Sequence, residues 1–190
     1  MERILIEEKN FEQIDFTKEL LSEGDYEICS FVNCNFSDIN LSGFSFTECE
    51  FNCCNLSMAQ LGKTAFRDIH FKDCKLLGLH FEHCKQLLFA VDFDHCILNL
   101  SCFYNMKLKK TPFKSCNLQE VDFTEADLTD ALFHDCDLSG AIFDNTLLEK
   151  ADFRTAYHYI INPAINKIKK AKFSVAGIAG LLKKYDIEIE

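Results

Sequence analysis

VDFTEADLTDALFHDCDLSGAIFDNTLLEKADF, residues 121–153, carries a large apolar residue at every fifth position: Phe123, Leu128, Phe133, Leu138, Phe143, Leu148 and Phe153. Two places before each stands a smaller residue: Val121, Ala126, Ala131, Cys136, Ala141, Thr146 and Ala151. The residues between are polar and mostly acidic. A period of five matches neither the 3.6 of an α-helix nor the 2 of a flat strand, so the chain must turn a corner every five residues.

Read backwards, the same ruler lands on Leu118, Phe113, Leu108, Phe103, Leu98, Phe93 and Leu88. The phase then slips by two. The ruler resumes at Phe81 and runs through Leu76, Phe71, Phe66, Leu61, Leu56, Phe51, Phe46, Leu41, Phe36, Phe31, Tyr26, Leu21 and Phe16 to Phe11, so that all 29 positions hold Phe, Leu or Tyr. Of the eleven cysteines, eight (Cys29, Cys34, Cys49, Cys54, Cys74, Cys96, Cys116 and Cys136) fall two places before a large residue. Free cysteine behaves as a small buried hydrophobe, so packing accounts for these residues better than a disulfide framework does.

The cysteines also set the length of a coil. Cys34, Cys54 and Cys74 are 20 residues apart, as are Cys96, Cys116 and Cys136, and the 22-residue step from Cys74 to Cys96 absorbs the slip. Four corners and 20 residues make one square coil, with Phe31, Phe51, Phe71, Phe93, Phe113, Phe133 and Phe153 in one column. About seven such coils, roughly 4.8 Å apart, bury a continuous core that no single coil could bury.

The quintets Ala126-Asp127-Leu128-Thr129-Asp130, Cys136-Asp137-Leu138-Ser139-Gly140 and Ala151-Asp152-Phe153-Arg154-Thr155 resemble the A(D/N)LXX motif of the pentapeptide-repeat superfamily. The resemblance spans roughly residues 11–155 and implies an all-β fold, a right-handed quadrilateral parallel β-helix. Open strand edges at its ends need covers. Residues 1–10, with RILIEE at 3–8, read as an N-terminal capping strand, and 156–190 as a small α-helical C-terminal cap. The five-residue rule stops after Phe153, since His158 comes next. Asn162 and Pro163 read as N-cap and first residue of a helix over 164–171, Ser174 caps a second to about Lys184, and residues 185–189 alternate like a strand. The cap reads either as a monomeric lid or, more sharply, as a two-fold dimer seam built from Ile165, Ile168, Ile178, Leu181, Leu182, Tyr185 and Ile187, with Val175 beside them.

At 190 residues and 48% hydrophobic, the chain can bury one core. Its apolar runs are too short to span a bilayer and residues 1–10 do not form a secretion signal, so a cytoplasmic location without membrane contact is expected. No phosphate loop, nucleophile elbow or zinc-protease motif is present, and neither enzyme activity nor a cofactor is expected. Glu82-His83-Cys84 and Asp94-His95-Cys96 imitate metal ligands, but the repeat phase turns Cys96 inward and His95 outward. No metal site is therefore expected.

Charge remains. Residues 156–190 hold six lysines against three acids, so the repeats carry all of the net −10 and more. Residues 120–152 hold Glu120, Asp122, Glu125, Asp127, Asp130, Asp135, Asp137, Asp144, Glu149 and Asp152 against Lys150 alone. These residues occupy about 8 Å of axis, over which duplex DNA carries on the order of five phosphates. Lys107, Lys109, Lys110 and Lys114 precede them. A charge run is most often a solvated face, and inward positions here are already apolar, so the acids must lie outside on all four sides.

A wholly repeat-built chain with such a cap is similar to the Qnr, MfpA and McbG group, and Ile161-Asn162-Pro163-Ala164-Ile165-Asn166-Lys167-Ile168 resembles the cap segment of McbG. That resemblance implies a dimeric DNA mimic that contacts no nucleic acid itself, binds DNA gyrase or topoisomerase IV, and protects it from poisons such as quinolones or microcin. The ten acids would then be the mimic surface. Only the two-residue slip near 84–87 departs from the coil, which is closer to the loopless MfpA type. The alternative is a general protein-interaction scaffold with another target.

Overall fold

A computed structural model describes residues 3–188. Strands Asn10–Glu12, Ser30–Val32, Glu50–Asn52, Ile69–Lys72, Val91–Asp94, Pro112–Lys114, Leu132–His134, Asp152–Phe153 and Lys172–Phe173 pair in parallel, each with the next, as one nine-stranded side. The register puts Phe113 opposite both Phe93 and Phe133. Strands Ile4–Glu7, Gly24–Glu27, Ser45–Thr47 and Ala65–Arg67 form a second side. The other two sides are held by single parallel bridges such as Asn117↔Asp137 and Asp122↔Ile142. The chain is a four-sided parallel β-helix, as the five-residue period requires.

Nine phenylalanines run up its interior. Successive ring centroids from Phe11 through Phe31, Phe51, Phe71, Phe93, Phe113, Phe133 and Phe153 to Phe173 lie 4.6–5.6 Å apart, with planes within 25° of parallel. Offset stacking of this kind adds about 0.5–1.5 kcal/mol per pair beyond burial. Two positions after the large residue most corners hold a left-handed residue, for example Glu120, Glu125 and Asp130 at φ 55–59°. Each such residue costs about 1–2 kcal/mol intrinsically. The next coil answers that cost with hydrogen bonds: the Glu120, Glu125 and Asp130 N–H groups donate to the carbonyls of Ser139, Asp144 and Glu149 at 2.8–2.9 Å.

The small inward position also has a polar task. The Cys74 thiol donates to the Phe51 carbonyl at 3.2 Å, and Cys136 to that of Phe113 at 3.4 Å. Thr146 Oγ1 does the same to Phe123 at 2.9 Å. The eight repeat-phase cysteines are buried and unbridged. Burial pushes the Cys34, Cys49 and Cys84 thiols up, Cys49 to about 12. These three thiols pack rather than react.

One position before the large residue, Asp or Asn caps the corner. The Oδ1 atoms of Asp122, Asp127, Asp137 and Asp152 accept the N–H two residues on at 2.8–3.2 Å. Asx turns of this kind are why short carboxylates and amides suit the position.

The expected strand forms at the front, and the structure departs from the sequence expectations at the slip and at the back. Leu88 is 69% exposed, with φ +60°. Phe89 packs in its place, edge-on to Phe66 and Phe81, because the two extra residues rotate the corner outward. At the front, Ile4–Glu7 pairs in parallel with Gly24–Glu27, in the 20-residue register of the coils. Ile6 lies opposite Tyr26 and packs against the core, so the ruler starts five residues before Phe11.

At the back, no helix forms over 164–171. Lys167 bridges Leu147, and Phe173 stacks 5.4 Å from Phe153, so the ruler skips His158 and Pro163 and resumes at Ile168. Asn166 decides this: it occupies the small position and donates from Nδ2 to the Phe143 carbonyl at 2.9 Å. The Asn162 side chain accepts from Ala164 N–H, a turn rather than a helix start. The second helix shrinks to Ala179–Leu182, followed by a 3₁₀ turn Lys183–Tyr185. Ser174 caps only a turn, through Gly177 N–H at 3.1 Å, and Gly177 and Gly180 press so closely on Tyr159 that a Cβ at either would collide with it. Asp186, left-handed at φ 51°, closes the 3₁₀ turn, and 186–188 form no strand. Residues 189–190 lie outside the described residues. Among the described residues no helix is long and apolar enough to cross a membrane.

Two predictions follow from this packing. Phe113→Ala, which opens a gap in the middle of the ring column, will lower unfolding free energy by about 3–5 kcal/mol in urea titration, while Leu88→Asn at the exposed slip will change it by less than about 0.5 kcal/mol. The second concerns acid. Hydrogen bonds from Arg154 outweigh burial and hold the Asp152 carboxyl at about 2. For Asp137 burial pushes upward, but bonds from Ser139, Gln119 and His158 prevail and hold it at about 2. Both lie below the ordinary 3.8, so the stability they contribute is full above that value and is lost as pH falls towards 2. Asp137→Asn/Asp152→Asn, which keeps the turn acceptors, will flatten the pH dependence of the denaturation midpoint in that window.

Candidate acidic partner interface

The ten acids divide by their place in the quintet. Asp122, Asp127, Asp137 and Asp152 precede the large residue and are half-buried turn caps. Glu120, Glu125, Asp130 and Asp135 stand on left-handed corners. Asp144 and Glu149 follow the large residue directly.

Their neighbours divide them again. Asp127 pairs with Lys109 at 3.2 Å and Asp130 with Lys150 at 3.9 Å. Asp152 is held by Arg154 at 2.8 Å and Lys172 at 3.5 Å. Asp137 accepts from Gln119 Nε2 at 2.8 Å and lies 3.0 Å from His158 Nδ1. Asp135 sits 3.3 Å from His134 Nε2. On the Leu108–Leu128–Leu148 side, Lys107 and Lys167 stack in the same column as Asp127. That side is electrically mixed.

The Phe103–Phe123–Phe143 side is different. Asp122 lies between Cys102 and Ile142 in its column, and Glu125 and Asp144 stand at the same edge. Among the described residues these three acids form no ion pair. The Glu125 carboxylate beside Tyr104 holds that phenol above its ordinary value. Exposed Tyr104 and Ile142 give this side apolar area beside its charge. Tyr104 belongs to the surface although the charge count could not find it; its register with Thr124 shows only once the coils are stacked.

The structure therefore brings Asp122, Glu125 and Asp144 together on one side without ion pairs and gives Asp127, Asp130, Asp135, Asp137 and Asp152 local partners, while Glu120 and Glu149 stand singly on the Leu118–Leu138 and Leu128–Leu148 sides. Of the seven apolar cap residues, Ile168 and Leu181 pack against the chain's own core. Leu182 is half-buried, while Ile165, Ile178, Tyr185 and Ile187 are exposed. Ile168 and Leu181 are lid residues of this chain, because Phe173 alone leaves the end of the ring column uncovered.

Farther along the acidic side, at the slip, His80, Glu82 and His83 place ligand atoms within 4.8 Å of one another. Cys84 and Cys96 are buried, as the repeat phase requires. His83 lies beside His80 rather than joining Cys84, a pairing that depends on the 3₁₀ turn Phe81–His83.

Two family models match the chain: pentapeptide repeats (8 copies) over residues 29–68 and the pentapeptide repeat region over 86–156. No curated protein matches it. Among solved structures it is similar to HetL, a pentapeptide repeat protein involved in heterocyst differentiation regulation from the cyanobacterium Nostoc sp. strain PCC 7120, at 15% identity, TM-score 0.60, and coverage of 91% of this chain and 87% of that one. A trypsin-treated form of QnrB1, a plasmid-mediated fluoroquinolone resistance protein, aligns at 19% identity over 99% of this chain and 98% of that one, with a TM-score of 0.48. The stacked quintets and both family models agree: this chain belongs to the pentapeptide-repeat family.

Proposed function

We propose that the chain is a non-catalytic binding protein that presents its Phe103–Phe123–Phe143 side to a basic, DNA-accommodating groove of a type II topoisomerase, DNA gyrase or topoisomerase IV. The observation that carries this reading is the set Asp122, Glu125 and Asp144, acids that form no ion pair among the described residues on the convex side of a rod. Neutralised acids would offer a cationic groove little; unpaired ones steer encounter and add affinity. The choice of target rests on the resemblance of the repeats and of residues 161–168 to the Qnr, MfpA and McbG group, whose members counter topoisomerase poisons. The core leaves no interior cleft for chemistry, since the large residues of every coil fill it.

The second reading is an interaction scaffold with another protein target. Its support is the likeness to HetL, which shows the same fold in a protein whose stated role is developmental regulation.

A homodimer through the C-terminal end belongs to the proposal. Ile165, Val175, Ile178, Tyr185 and Ile187 are exposed apolar side chains gathered in the last 26 residues, and a two-fold seam there would set two acidic rods end to end. Light scattering is expected to give twice 21.9 kDa; a particle of 21.9 kDa removes the dimer.

The main test is enzymatic. The purified chain will inhibit gyrase supercoiling or reduce quinolone-induced cleavage, and no effect up to roughly 30 μM, equivalent to binding weaker than about −6 kcal/mol, rejects the topoisomerase target. Two triple variants separate the sides. Asp122→Asn/Glu125→Gln/Asp144→Asn will fold normally, weaken binding at least about tenfold and flatten its salt dependence, while Asp127→Asn/Asp130→Asn/Asp137→Asn will have the smaller effect because its charges already have local partners. Equal affinities for both variants and the parent would show that the acids only solvate the rod.

A further inference from the structure

We propose that His80, Glu82 and His83 form a binding site for a divalent first-row transition ion of the zinc class, on the acidic side of the rod where the coil slips phase. The three donors come from a single turn. His80 Nδ1 lies 2.8 Å from Glu82 Oε1, and His83 Nε2 lies 3.8 Å from the same oxygen. The two rings face each other, centroids 5.4 Å apart and planes 17° from parallel. Ligand atoms on a tetrahedral ion with bonds of about 2.1 Å stand roughly 3.4 Å apart, a value that the two measured separations bracket.

The turn is rigid before any ion arrives. Phe81, between the ligands, is fully buried and stacks on Phe103 at 4.5 Å. Its N–H donates to the Cys102 carbonyl at 3.0 Å, and the His83 carbonyl accepts from Lys63 N–H at 2.8 Å, so coils on both sides hold the backbone. Only imidazole rotation remains to be settled on binding.

A plain surface ion pair explains part of this arrangement and fails on one atom. Hydrogen bonding between His80 and Glu82 accounts for Oε1. The other oxygen, Oε2, is buried and has no hydrogen-bond partner among the described residues. An unpartnered buried carboxylate oxygen is unfavourable, and a cation bound to the same carboxylate offsets that cost. The Glu82 side chain is only 18% exposed, whereas both imidazoles open to solvent. The carboxylate is thus a floor and the imidazoles are walls, leaving outer coordination positions for water or for a group on a docked partner. Two imidazoles and a carboxylate suit zinc and its neighbours rather than calcium or magnesium, which take oxygen ligands. Cys102 stands in register with His80 on the next coil and is half-buried.

The experiment is a Zn²⁺ titration of the untagged full chain against a chromophoric chelator, repeated with Co²⁺ as a spectroscopic probe. One equivalent should bind, with a tetrahedral or five-coordinate d–d spectrum free of thiolate charge transfer. His80→Gln/His83→Gln, both solvent-facing and checked for folding by circular dichroism, should weaken binding at least about 100-fold, the upper end of what loss of a mere supporting group does. His70→Gln/His95→Gln, which removes two histidines on the nine-stranded side, should leave it unchanged. Unaltered affinity in the His80/His83 variant, loss in the His70/His95 variant, a thiolate band, or no binding tighter than about 100 μM would each overturn the site.

Discussion

Each inward side chain of this protein must rest on another 20 residues along the chain, or 22 across the slip, one strand spacing away. Phe113 on Phe93 and under Phe133 shows the constraint at its simplest: three rings, two backbone registers and no room for a residue of another size. The other regularities serve it. A corner every five residues forces a left-handed backbone, and the ladder of N–H groups to the next coil offsets the cost. The small inward position must fill space and still satisfy a carbonyl, which is why thiols and hydroxyls recur there. The residue before the large one caps the corner, which is why it is so often Asp or Asn.

The same constraint determines where function can lie. With the interior filled by rings, leucines and thiols, chemistry and recognition are left to the outer positions. There the acids are not equivalent. Those that cap turns are held by the fold, and those beside lysines are neutralised. The charge density of the C-terminal coils thus resolves into one side where three unpaired carboxylates gather and others where most acids have local partners. A partner that reads charge would meet a face rather than a uniformly acidic rod.

The phase slip is the place where the rule relaxes. Two extra residues turn Leu88 outward, bring Phe89 in and twist Phe81–His83 into a 3₁₀ turn. As a result two imidazoles and a half-buried carboxylate converge on the same side as Asp122, Glu125 and Asp144. A departure from periodicity, unlike one more regular coil, can gather side chains from neighbouring positions of one turn.

The repeat, its 20-residue coil, the inward cysteines and the phenylalanine column were all legible in the residues alone, because each follows from spacing and side-chain volume. The helices expected after Asn162 and Ser174 were read from local capping signals. Local signals lost to the preceding coil: Asn166 could satisfy the Phe143 carbonyl and Phe173 could extend the ring column only by continuing the β-helix. Leu88 and Phe89 could not be told apart by period, since either is large enough and the choice depends on how the corner swings. Spacing and composition by themselves determined the prism and the excess of acid on its outside. Which acids stay free, which cap residues face solvent and which histidines meet were decided by tertiary structure alone, because ion pairs, lids and ligand clusters depend on distances between coils that no linear period contains.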